Sequence, residues 1–519
     1  MTPLAYPVVL SIVVTTFLTC AWQILWFLWL KPRKVERFLR QQGLNGTPYS
    51  LLFRDFREMA RMIKQARPIT PFSNDIAPFA FPFVHHNMEK YGKLFFTWIG
   101  PRPVLNIMDS DMLKEIFSRI YEFEKPRLKA LGDVFLYGLL NIEGEKWATH
   151  RKIMDPAFHL EKLKVMVSPL PFSAREMMRT WEEQSVGGEV DVWPHLERMS
   201  SNVISRAVLG SSYEQDKRIF VLQKKLMRLA IKASQFAWIP GSSFLPTTMR
   251  KRMSKIDREL KSFLKDMVIA REKALKEGGA EEEDLLGSIL KSNRKEIEKS
   301  GQQNGMSVED VVQECKFFYL SGQDTTTLFL TWTMILLSKY KNWQERAREE
   351  VLQVFGDKKP DFEGLSRLKM VSMILNEVIR LYGTVPLTLR TVYETTKLGH
   401  IQIPAGVQLY VPLLLIHRDQ DRWGDDANEF NPERFSVGAS TATKNELAFL
   451  PFGYGPRTCI ARNYVLLEAK AVLAMVLQNF SMELSPSYKH APTPLISLKP
   501  QYGAPLVLTR IKPNLPFGT

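Results

Sequence analysis

Cys459 is one of three cysteines in the 519-residue chain, and it lies in a loop with unusual neighbours. In FLPFGYGPRTCIARNYVLLEAK, residues 449–470, Gly453, Gly455 and Arg457 come just before it and an apolar helical pattern follows. Because N–H groups at a helix N-terminus stabilise an anion, this position predicts a thiolate with a lowered pKa. The glycines allow a tight turn and a close approach by a flat ligand, and the guanidinium can bind a carboxylate. These features predict a haem cradle, with the sulfur on the iron and Arg457 on the propionates.

A carboxylate and several hydroxyl groups lie in the middle of the longest helical pattern. This pattern begins near Ser307, where SVED resembles a capping box, and continues to about Lys339. Within it, SGQDTTT combines Gly322 with three threonines, all of them poor helix formers. We therefore expect a weakened turn that presents an acid and hydroxyls, Asp324 and Thr325 among them. The alternative is a kink that the helix tolerates and that has no chemical role.

Glu377 and Arg380 lie three residues apart in ILNEVIRLYG, so on a helix they share a face and can pair. This spacing alone is weak evidence, but the neighbours are apolar and a further arginine, Arg434, follows in NPERF. We expect a partly buried glutamate between two arginines as a fixed scaffold element. The histidines show no metal-ligand spacing, and His150, beside Arg151, is expected on the surface.

Cysteine content and charge limit the possible functions. The three scattered cysteines form no paired spacing, which argues against a disulfide framework and a CxxC zinc site. The formal net charge of +15, from 70 basic and 55 acidic residues, favours acidic partners or an anionic membrane surface. No dense block of Lys and Arg with interleaved aromatic residues is present, so nucleic acid is not an expected partner.

The N-terminal residues form a predicted membrane anchor. Residues 4–30 contain no charged side chain and, as a helix, exceed the roughly 30 Å thickness of a hydrocarbon core. Trp22, Trp26 and Trp29 crowd the C-terminal end of this run, and the basic stretch KPRKVERFLR follows. The positive-inside rule then predicts one uncleaved spanning helix with the body of the protein in the cytoplasm.

The body is predicted to be mainly α-helical with a minor β region. Helical patterns dominate after the anchor, whereas HIQIPAGVQLYVPLLLI, residues 400–416, is typical of strands separated by a turn. No internal repeat or Pro/Gly/Ser-rich linker divides the body. We therefore predict three parts: a transmembrane anchor at 1–30, a linker at 31–60 and a catalytic domain at 61–519.

The loop around Cys459 resembles the haem-binding signature of the cytochrome P-450 monooxygenases, F-x-x-G-x-R-x-C-x-G/A. Five positions of FGYGPRTCIA match it: Phe452, Gly455, Arg457, Cys459 and Ala461. WATHR, SGQDTT, EVIR and PERF resemble the other motifs of the family, and they occur in the expected order. The resemblance implies a cytochrome P-450 fold preceded by a single N-terminal transmembrane helix.

Details outside these motifs resemble one plant group within the family. RFLRQQGLNGTPY after the anchor and LEAKAVLAMVLQNFSMELSPSYKHAP near the C-terminus are similar to the microsomal group that includes secologanin synthase, triterpene oxidases and a gibberellin oxidase. Two positions depart from the usual family pattern, because Ser321 replaces a common alanine and Ala461 replaces a common glycine. The resemblance implies an active enzyme, since the cysteine, arginine, acid and threonine of the motifs are all present.

The resemblance also implies which residues hold the cofactor, haem b. Cys459 would be the axial thiolate ligand of the iron, and Phe452 would pack beside its sulfur. The haem propionates would be bound by side chains from three segments of the chain: Trp147, Arg151, Arg390 and Arg457.

Two residues would supply chemistry that the cofactor does not. By resemblance, Asp324 and Thr325 would hold a short water relay that delivers the protons needed for oxygen activation. Glu377, Arg380 and Arg434 would form a structural triad without a catalytic role.

The segments that line the substrate pocket, again by resemblance, would be residues 128–140, 317–321, 385–389 and 494–498. All are largely apolar, which implies a small lipophilic substrate such as an iridoid, a triterpene or a diterpenoid. Hydroxylation and oxidative C–C cleavage both remain open.

The implied partners are an NADPH-cytochrome reductase, which would hold the NADPH and flavins, and the endoplasmic reticulum membrane. Basic residues around Arg151 and Lys152 would meet the acidic surface of the reductase, and the apolar loop at 237–246 would dip into the membrane interface. Two alternatives stay open at this point. One is a reductase-independent, peroxide-isomerising haem-thiolate enzyme, and the other is a non-enzymatic haem- or sterol-binding membrane protein.

Overall fold

The computed structural model describes residues 5–51, 54–65, 68–69, 71–127, 138–184, 188–234, 247–278, 284–301, 304–443 and 445–511. Its α-helices are α1 (Ala5–Leu25), α2 (Lys31–Gln41), α3 (Arg54–Gln65), α4 (Ala77–Ala80), α5 (Pro82–Tyr91), α6 (Ser110–Ser118), α7 (Gly144–Met154), α8 (Leu160–Met166), α9 (Leu170–Gln184), α10 (Val192–Leu209), α11 (Tyr213–Ser234), α12 (Thr248–Lys276), α13 (Leu285–Ser300), α14 (Val308–Lys339), α15 (Lys341–Phe355), α16 (Phe362–Arg367), α17 (Lys369–Tyr382), α18 (Leu413–Ile416), α19 (Gln420–Trp423) and α20 (Arg462–Asn479). Its strands are β1 (Asn45–Gly46), β2 (Leu94–Ile99), β3 (Arg102–Ile107), β4 (Phe123–Glu124), β5 (Glu189–Asp191), β6 (Thr388–Val392), β7 (Thr396–Leu398), β8 (Ile401–Ile403), β9 (Gln408–Val411), β10 (Phe480–Leu484), β11 (Pro492–Pro494), β12 (Leu498–Pro500) and β13 (Pro505–Arg510). The prediction of a mainly helical body with a minor β region is confirmed.

The described strands form one larger sheet and three small ones. The larger sheet has the order β1-β2-β3-β9-β6-β4, and the small sheets are β10-β13-β5, β11-β12 and β7-β8. The strands predicted within residues 400–416 are confirmed as β8 and β9. The last four residues of that segment were expected in a strand, which is wrong. They form α18, because Pro412 has no N–H for a β-ladder while its carbonyl accepts from the N–H groups of Leu415 and Ile416, at 3.0 and 3.1 Å.

Two hydrophobic clusters meet at the loop that contains Cys459. The larger cluster fills the space between the helices, and the smaller one lies under the larger sheet. Phe452, Ile460 and Ala461 pack against the helical cluster, whereas Tyr454 packs against the sheet cluster. The loop is therefore held from both sides.

Helix α14 crosses the core with the boundaries that the sequence predicts. Ser307 is its N-cap, and the side chains and backbone N–H groups of Ser307 and Asp310 form a complete capping box. The helix ends at Lys339, and nearly all side chains from Thr326 onwards are buried. Its long buried face makes α14 the element against which other helices pack.

The SGQDTTT segment of α14 stays α-helical throughout. Thr325 Oγ1 donates to the carbonyl of Ser321 at 2.6 Å, four residues earlier, so the hydroxyl bonds inside the helix. Gly322 is explained by packing, because a Cβ atom there would lie 2.5 Å from Ile204 Cδ1 on α10. The glycine thus permits the close approach of α10 and α14. The weakened turn that the sequence predicts does not interrupt the helix.

The N-terminal helix continues into the body of the protein. Helix α1 passes through one π-helical turn, Trp26–Leu30, directly into α2, and Val9–Gln41 is long and apolar enough to cross a membrane. Tyr49 donates its hydroxyl to the carbonyl of Leu28, and Leu39 of α2 is fully buried in the sheet cluster. The first residues after the apolar run are therefore packed against the sheet.

Candidate active site

The backbone of the Cys459 loop is fixed by a hydrogen bond and two left-handed glycines. The N–H of Cys459 donates to the carbonyl of Phe452 at 2.8 Å, which closes the loop. Gly453 and Gly455 have φ angles of 78° and 69°, a region that favours glycine. A Cβ atom on Gly455 would lie 2.7 Å from the carbonyl oxygen of Phe117. The close approach that this glycine allows is thus to helix α6.

The thiol of Cys459 faces a recess inside the protein. The residue is exposed, yet burial raises the pKa of its thiol, against the opposing effects of a hydrogen bond from the Ala461 N–H and the charges of Arg151 and Arg462. A side chain can be accessible and still poorly hydrated when protein encloses most of the space around its sulfur atom. The predicted lowering of this pKa is wrong, because α20 begins only at Arg462 and desolvation outweighs the N–H groups. Since a coordinating metal deprotonates a thiol outright, the anion depends on the iron.

Helix α7 brings Trp147 and Arg151 to the Cys459 loop. Arg151 Nη1 donates to the carbonyl of Thr458 at 2.7 Å, and its Nε donates to Asp155 Oδ1 at the same distance. Trp147 is buried, and the guanidinium of Arg457 lies 4.1 Å from the centre of its ring. The structure therefore brings these three predicted residues together around the loop.

Arg457 and Arg390 lie in a cluster of three cations around one carboxylate. Arg457 donates to the carbonyl of Ile142 at 3.0 Å and pairs with Glu143. Burial lowers the pKa of Arg390 to about 10. Burial and the positive charges of Arg457 and Arg390 lower the pKa of Lys125 to about 7. Burial also raises the pKa of Glu143, against the charges of Arg457, Lys125 and Arg390. The two arginines outnumber Glu143, and Lys125 with a pKa of about 7 adds part of a charge, so an excess of positive charge remains in a poorly hydrated place.

This charge excess fits the two carboxylates of haem, and the recessed thiol fits its iron. Lys125 and Glu143 were missed by the sequence analysis. No sequence motif marks either residue. Lys125 simply follows β4, and Glu143 directly precedes α7. The pairing of Glu143 with Arg457 spans 314 residues, so no local pattern indicates it.

Asp324 has partners that the sequence analysis did not predict. Its Oδ2 accepts a hydrogen bond from Ser497 Oγ at 2.7 Å, and its Oδ1 accepts from Lys499 Nζ at 2.7 Å. Both donors belong to the hairpin formed by β11 and β12, where only pocket-lining residues were expected. The hydroxyl of Thr325 points back to Ser321, so neighbouring Asp324 and Thr325 have separate partners.

The structure brings Glu377, Arg380 and Arg434 together. Arg380 Nε and Nη2 donate to Glu377 Oε2 and Oε1 at 2.6 and 2.7 Å, and Arg434 Nε lies 3.5 Å from Glu377 Oε1. The side chains of Glu377 and Arg380 are fully buried, more completely than expected. None of the three lies in the Cys459 loop.

One expectation fails and two others lie outside the described residues. His150 is buried, not on the surface, because its Nδ1 lies 2.7 Å from Oε1 of the buried Glu314 on α14. The loop at 237–246 and residues 128–137 of a predicted pocket segment are outside the described residues. Among the described residues, no group of three or more His, Cys, Asp or Glu side chains could hold a metal ion.

Comparison with known proteins identifies relatives along nearly the whole chain. The model of the family Cytochrome P450 matches residues 79–504. The chain is 49% identical to cytochrome P450 CYP72A219 of Panax ginseng over 494 residues, 94% of this chain and 95% of the relative. It is 46% identical to cytochrome P450 72A15 of Arabidopsis thaliana, covering 97% and 99%, and 46% identical to 11-oxo-beta-amyrin 30-oxidase of Glycyrrhiza uralensis, covering 98% and 99%.

These matches argue against one of the functional classes that the sequence left open. A non-enzymatic binding protein is not supported, since the chain matches the family model and aligns along nearly its whole length with an 11-oxo-beta-amyrin 30-oxidase. The chain therefore belongs to the cytochrome P450 family, whose members bind haem iron and use electrons from a partner reductase, and it is a monooxygenase.

Proposed function

We propose that this protein inserts one oxygen atom from O2 into a triterpenoid, or a related lipophilic terpenoid, with electrons from an NADPH-cytochrome reductase. The observation that supports this most is the 46% identity to an 11-oxo-beta-amyrin 30-oxidase along both chains. Apolar side chains at the predicted pocket segments agree with a lipophilic substrate. Val385, Leu495 and Ile496, which belong to two of these segments, are 48%, 61% and 45% exposed and so can contact a lipophilic ligand.

Haem b, when bound, supplies the activation of dioxygen. In our proposal Cys459 ligates its iron, and Phe452 shields the sulfur from water. The propionates are bound by the cationic cluster and by the α7 residues beside it: Lys125, Trp147, Arg151, Arg390 and Arg457. The propionate charges then offset the positive charge of this cluster, which lowers the cost of burying it.

The protein itself supplies protons in this proposal. The carboxylate of Asp324 relays protons from solvent towards the oxygen-binding side of α14, and the Thr325 hydroxyl orders the water that carries them. Both residues lie in the half-buried stretch of α14, next to the fully buried stretch that begins at Thr326. Water can therefore reach the acid while the apolar core excludes it elsewhere.

We further propose that α1 spans the endoplasmic reticulum membrane once, with the catalytic domain in the cytoplasm. An apolar groove of about 520 Å³ is lined by seven residues of the N-terminal helix and by Leu51 of the body. Leu51 would then bring the body close to the bilayer beside the anchor. The division into anchor 1–30, linker 31–60 and catalytic domain 61–519 is part of this proposal. The linker in this division includes α2.

Microsomes that contain the protein and a plant NADPH-cytochrome reductase test the function. We expect 11-oxo-beta-amyrin or another member of a terpenoid panel to accelerate NADPH consumption and to yield a product with one oxygen-18 atom from labelled O2. Microsomes with Cys459→Ala are the control. Conversion of a terpenoid hydroperoxide without NADPH or reductase, and no NADPH-linked product, would instead establish the peroxide-isomerising alternative.

A further inference from the structure

The C-terminal hairpin formed by β11 and β12 lies directly against the carboxylate of Asp324. Its strands pair antiparallel, with Thr493 opposite Lys499 and Pro494 opposite Leu498. Leu498 is fully buried, and because side chains alternate along a strand, Lys499 points to the opposite side. The Lys499 side chain is 24% exposed and reaches Asp324, which is 22% exposed. Lys499 therefore contacts both the solvent and the half-buried carboxylate of Asp324.

The strand that presents Lys499 is held in place by two elements. The carbonyl of Leu498 accepts from Nε1 of the fully buried Trp332 at 2.9 Å, so β12 is tied to α14. The N–H of Leu498 donates to the carbonyl of Thr384 at 3.0 Å, after the end of α17. The hairpin therefore has a fixed position relative to the helix that contains Asp324.

Ser497 and Lys499 together occupy both oxygens of the carboxylate. The Ser497 hydroxyl and the Lys499 ammonium each lie 2.7 Å from a different oxygen of Asp324, so its side chain has one defined orientation. A single, partly exposed ion pair adds little to stability, so these contacts do little for the fold. Their effect is on geometry, and small errors of geometry have large effects on rate.

We infer that Lys499, assisted by Ser497, is a positioning residue that sets the resting place of the Asp324 carboxylate for proton delivery. This inference rests on the proposed role of Asp324 in the monooxygenase reaction. The same turn exposes Leu495 and Ile496, so one hairpin presents apolar surface to the substrate and polar groups to the acid.

Chemical labelling of the holoenzyme tests the contact without any substrate. Acetic anhydride acylates accessible free amines, and mass spectrometry measures the rate at each lysine. We expect Asp324→Asn to increase acylation of Lys499 several-fold. Lys341, which pairs with Glu483 at 2.6 Å on the surface, is the matched control and keeps its rate. An unchanged Lys499 rate in Asp324→Asn overturns the inference.

Steady-state kinetics test the functional part with the terpenoid that the wild type oxidises, beginning with 11-oxo-beta-amyrin. We expect Lys499→Met to lower kcat for product about threefold to tenfold with KM unchanged, because only the acid loses its position. Lys499→Arg should restore most of the rate, and Lys341→Gln should leave it unchanged. A raised KM with unchanged kcat overturns the inference, since it assigns Lys499 only to the shape of the pocket. If the wild type oxidises no terpenoid, the proposed substrate class fails, while the labelling result still decides whether Lys499 holds Asp324.

Discussion

Among the helical carboxylates that bind a basic side chain, Glu377 and Asp324 form pairs that differ in almost every other respect. Glu377 and Arg380 are fully buried and joined by two parallel hydrogen bonds, and Arg380 also donates to three backbone carbonyls. Asp324 and Lys499 are partly exposed and joined by one contact, with Ser497 on the other oxygen. The first pair is enclosed by protein groups, whereas the second pair is also accessible to solvent.

This difference indicates what each pair can do. Removing either member of the buried pair leaves the other charge without its hydrogen-bonded ionic partner in a dry interior. The pair therefore holds α17 and the segment at 427–431 in a fixed relative position. The partly exposed pair loses little when it opens, because water can take the place of either partner. A carboxylate that must exchange a proton needs this second kind of environment.

The largest effect is expected at the buried pair. Arg380→Ala removes the two ionic hydrogen bonds of the buried Glu377, leaves it only the longer contact with Arg434, and should destabilise the protein by about 3–5 kcal/mol. Expression yield in membranes and the thermal midpoint of the solubilised protein measure this loss. Lys499→Ala is the matched control and should cost less than about 1 kcal/mol. Equal losses in the two variants would show that exposure does not separate the pairs.

Cys459→Ala should abolish haem ligation while leaving both ion pairs intact. The side chain faces a recess and its removal opens no packed core, so we expect the circular dichroism spectrum to be nearly unchanged. The reduced carbon-monoxide complex should lose the Soret band that is characteristic of thiolate ligation. If the variant keeps that band, another ligand binds the haem and the assignment of Cys459 is wrong.

Asp324→Asn separates the role of the acid from that of its lysine. The amide oxygen can still accept from Ser497, but the variant lacks both the negative charge that pairs with Lys499 and an acidic proton. We expect both NADPH consumption and product formation to fall by about tenfold or more, because general acids contribute on the order of 100-fold and above. Stability should hardly change, in contrast to Arg380→Ala. Unchanged rates would assign the proton source to ordered water.

The sequence predicts these two pairs to very different extents. Glu377 and Arg380 are three residues apart, so helical periodicity alone places them on one face, and the capping box at Ser307 sets the start of α14 in the same local way. Ser497 and Lys499 lie 173 and 175 residues from Asp324, and only the folded chain brings them to it. The same limit explains why Glu143 and Lys125 were missed near Arg457.

Local patterns also fail where burial decides the outcome. His150 follows the polar stretch of α7 and looks like a surface residue, yet the buried Glu314 on α14 binds it. The N-terminus of α20 predicts a lowered thiol pKa for Cys459, yet desolvation by the surrounding fold has the larger effect. Sequence spacing shows which groups share an element, and tertiary packing sets how much water each of them keeps.

The smallest and most specific effect is expected for Thr325→Ala. Thr325 Oγ1 donates to the Ser321 carbonyl and touches neither ion pair nor the Cys459 loop, so the carbon-monoxide spectrum and haem content should stay nearly unchanged. Alanine favours a helix more than threonine does, so stability should rise slightly. If the hydroxyl orders the water relay, NADPH consumption continues while product per NADPH falls roughly twofold to tenfold and hydrogen peroxide rises in proportion, because protons arrive too slowly for product formation.

Thr327→Ala is the matched control for this experiment. Thr327 makes the same internal bond, donating to the carbonyl of Gln323 at 2.7 Å, but it is buried and lies two residues beyond the half-exposed stretch. Its replacement removes the same kind of hydroxyl from the same helix and should leave the ratio of product to NADPH unchanged. Equal uncoupling in both variants would mean that helix geometry, not the Thr325 hydroxyl, controls coupling. Unchanged coupling in Thr325→Ala would leave the hydroxyls of this segment as internal helix bonds and assign proton delivery to Asp324 and water alone.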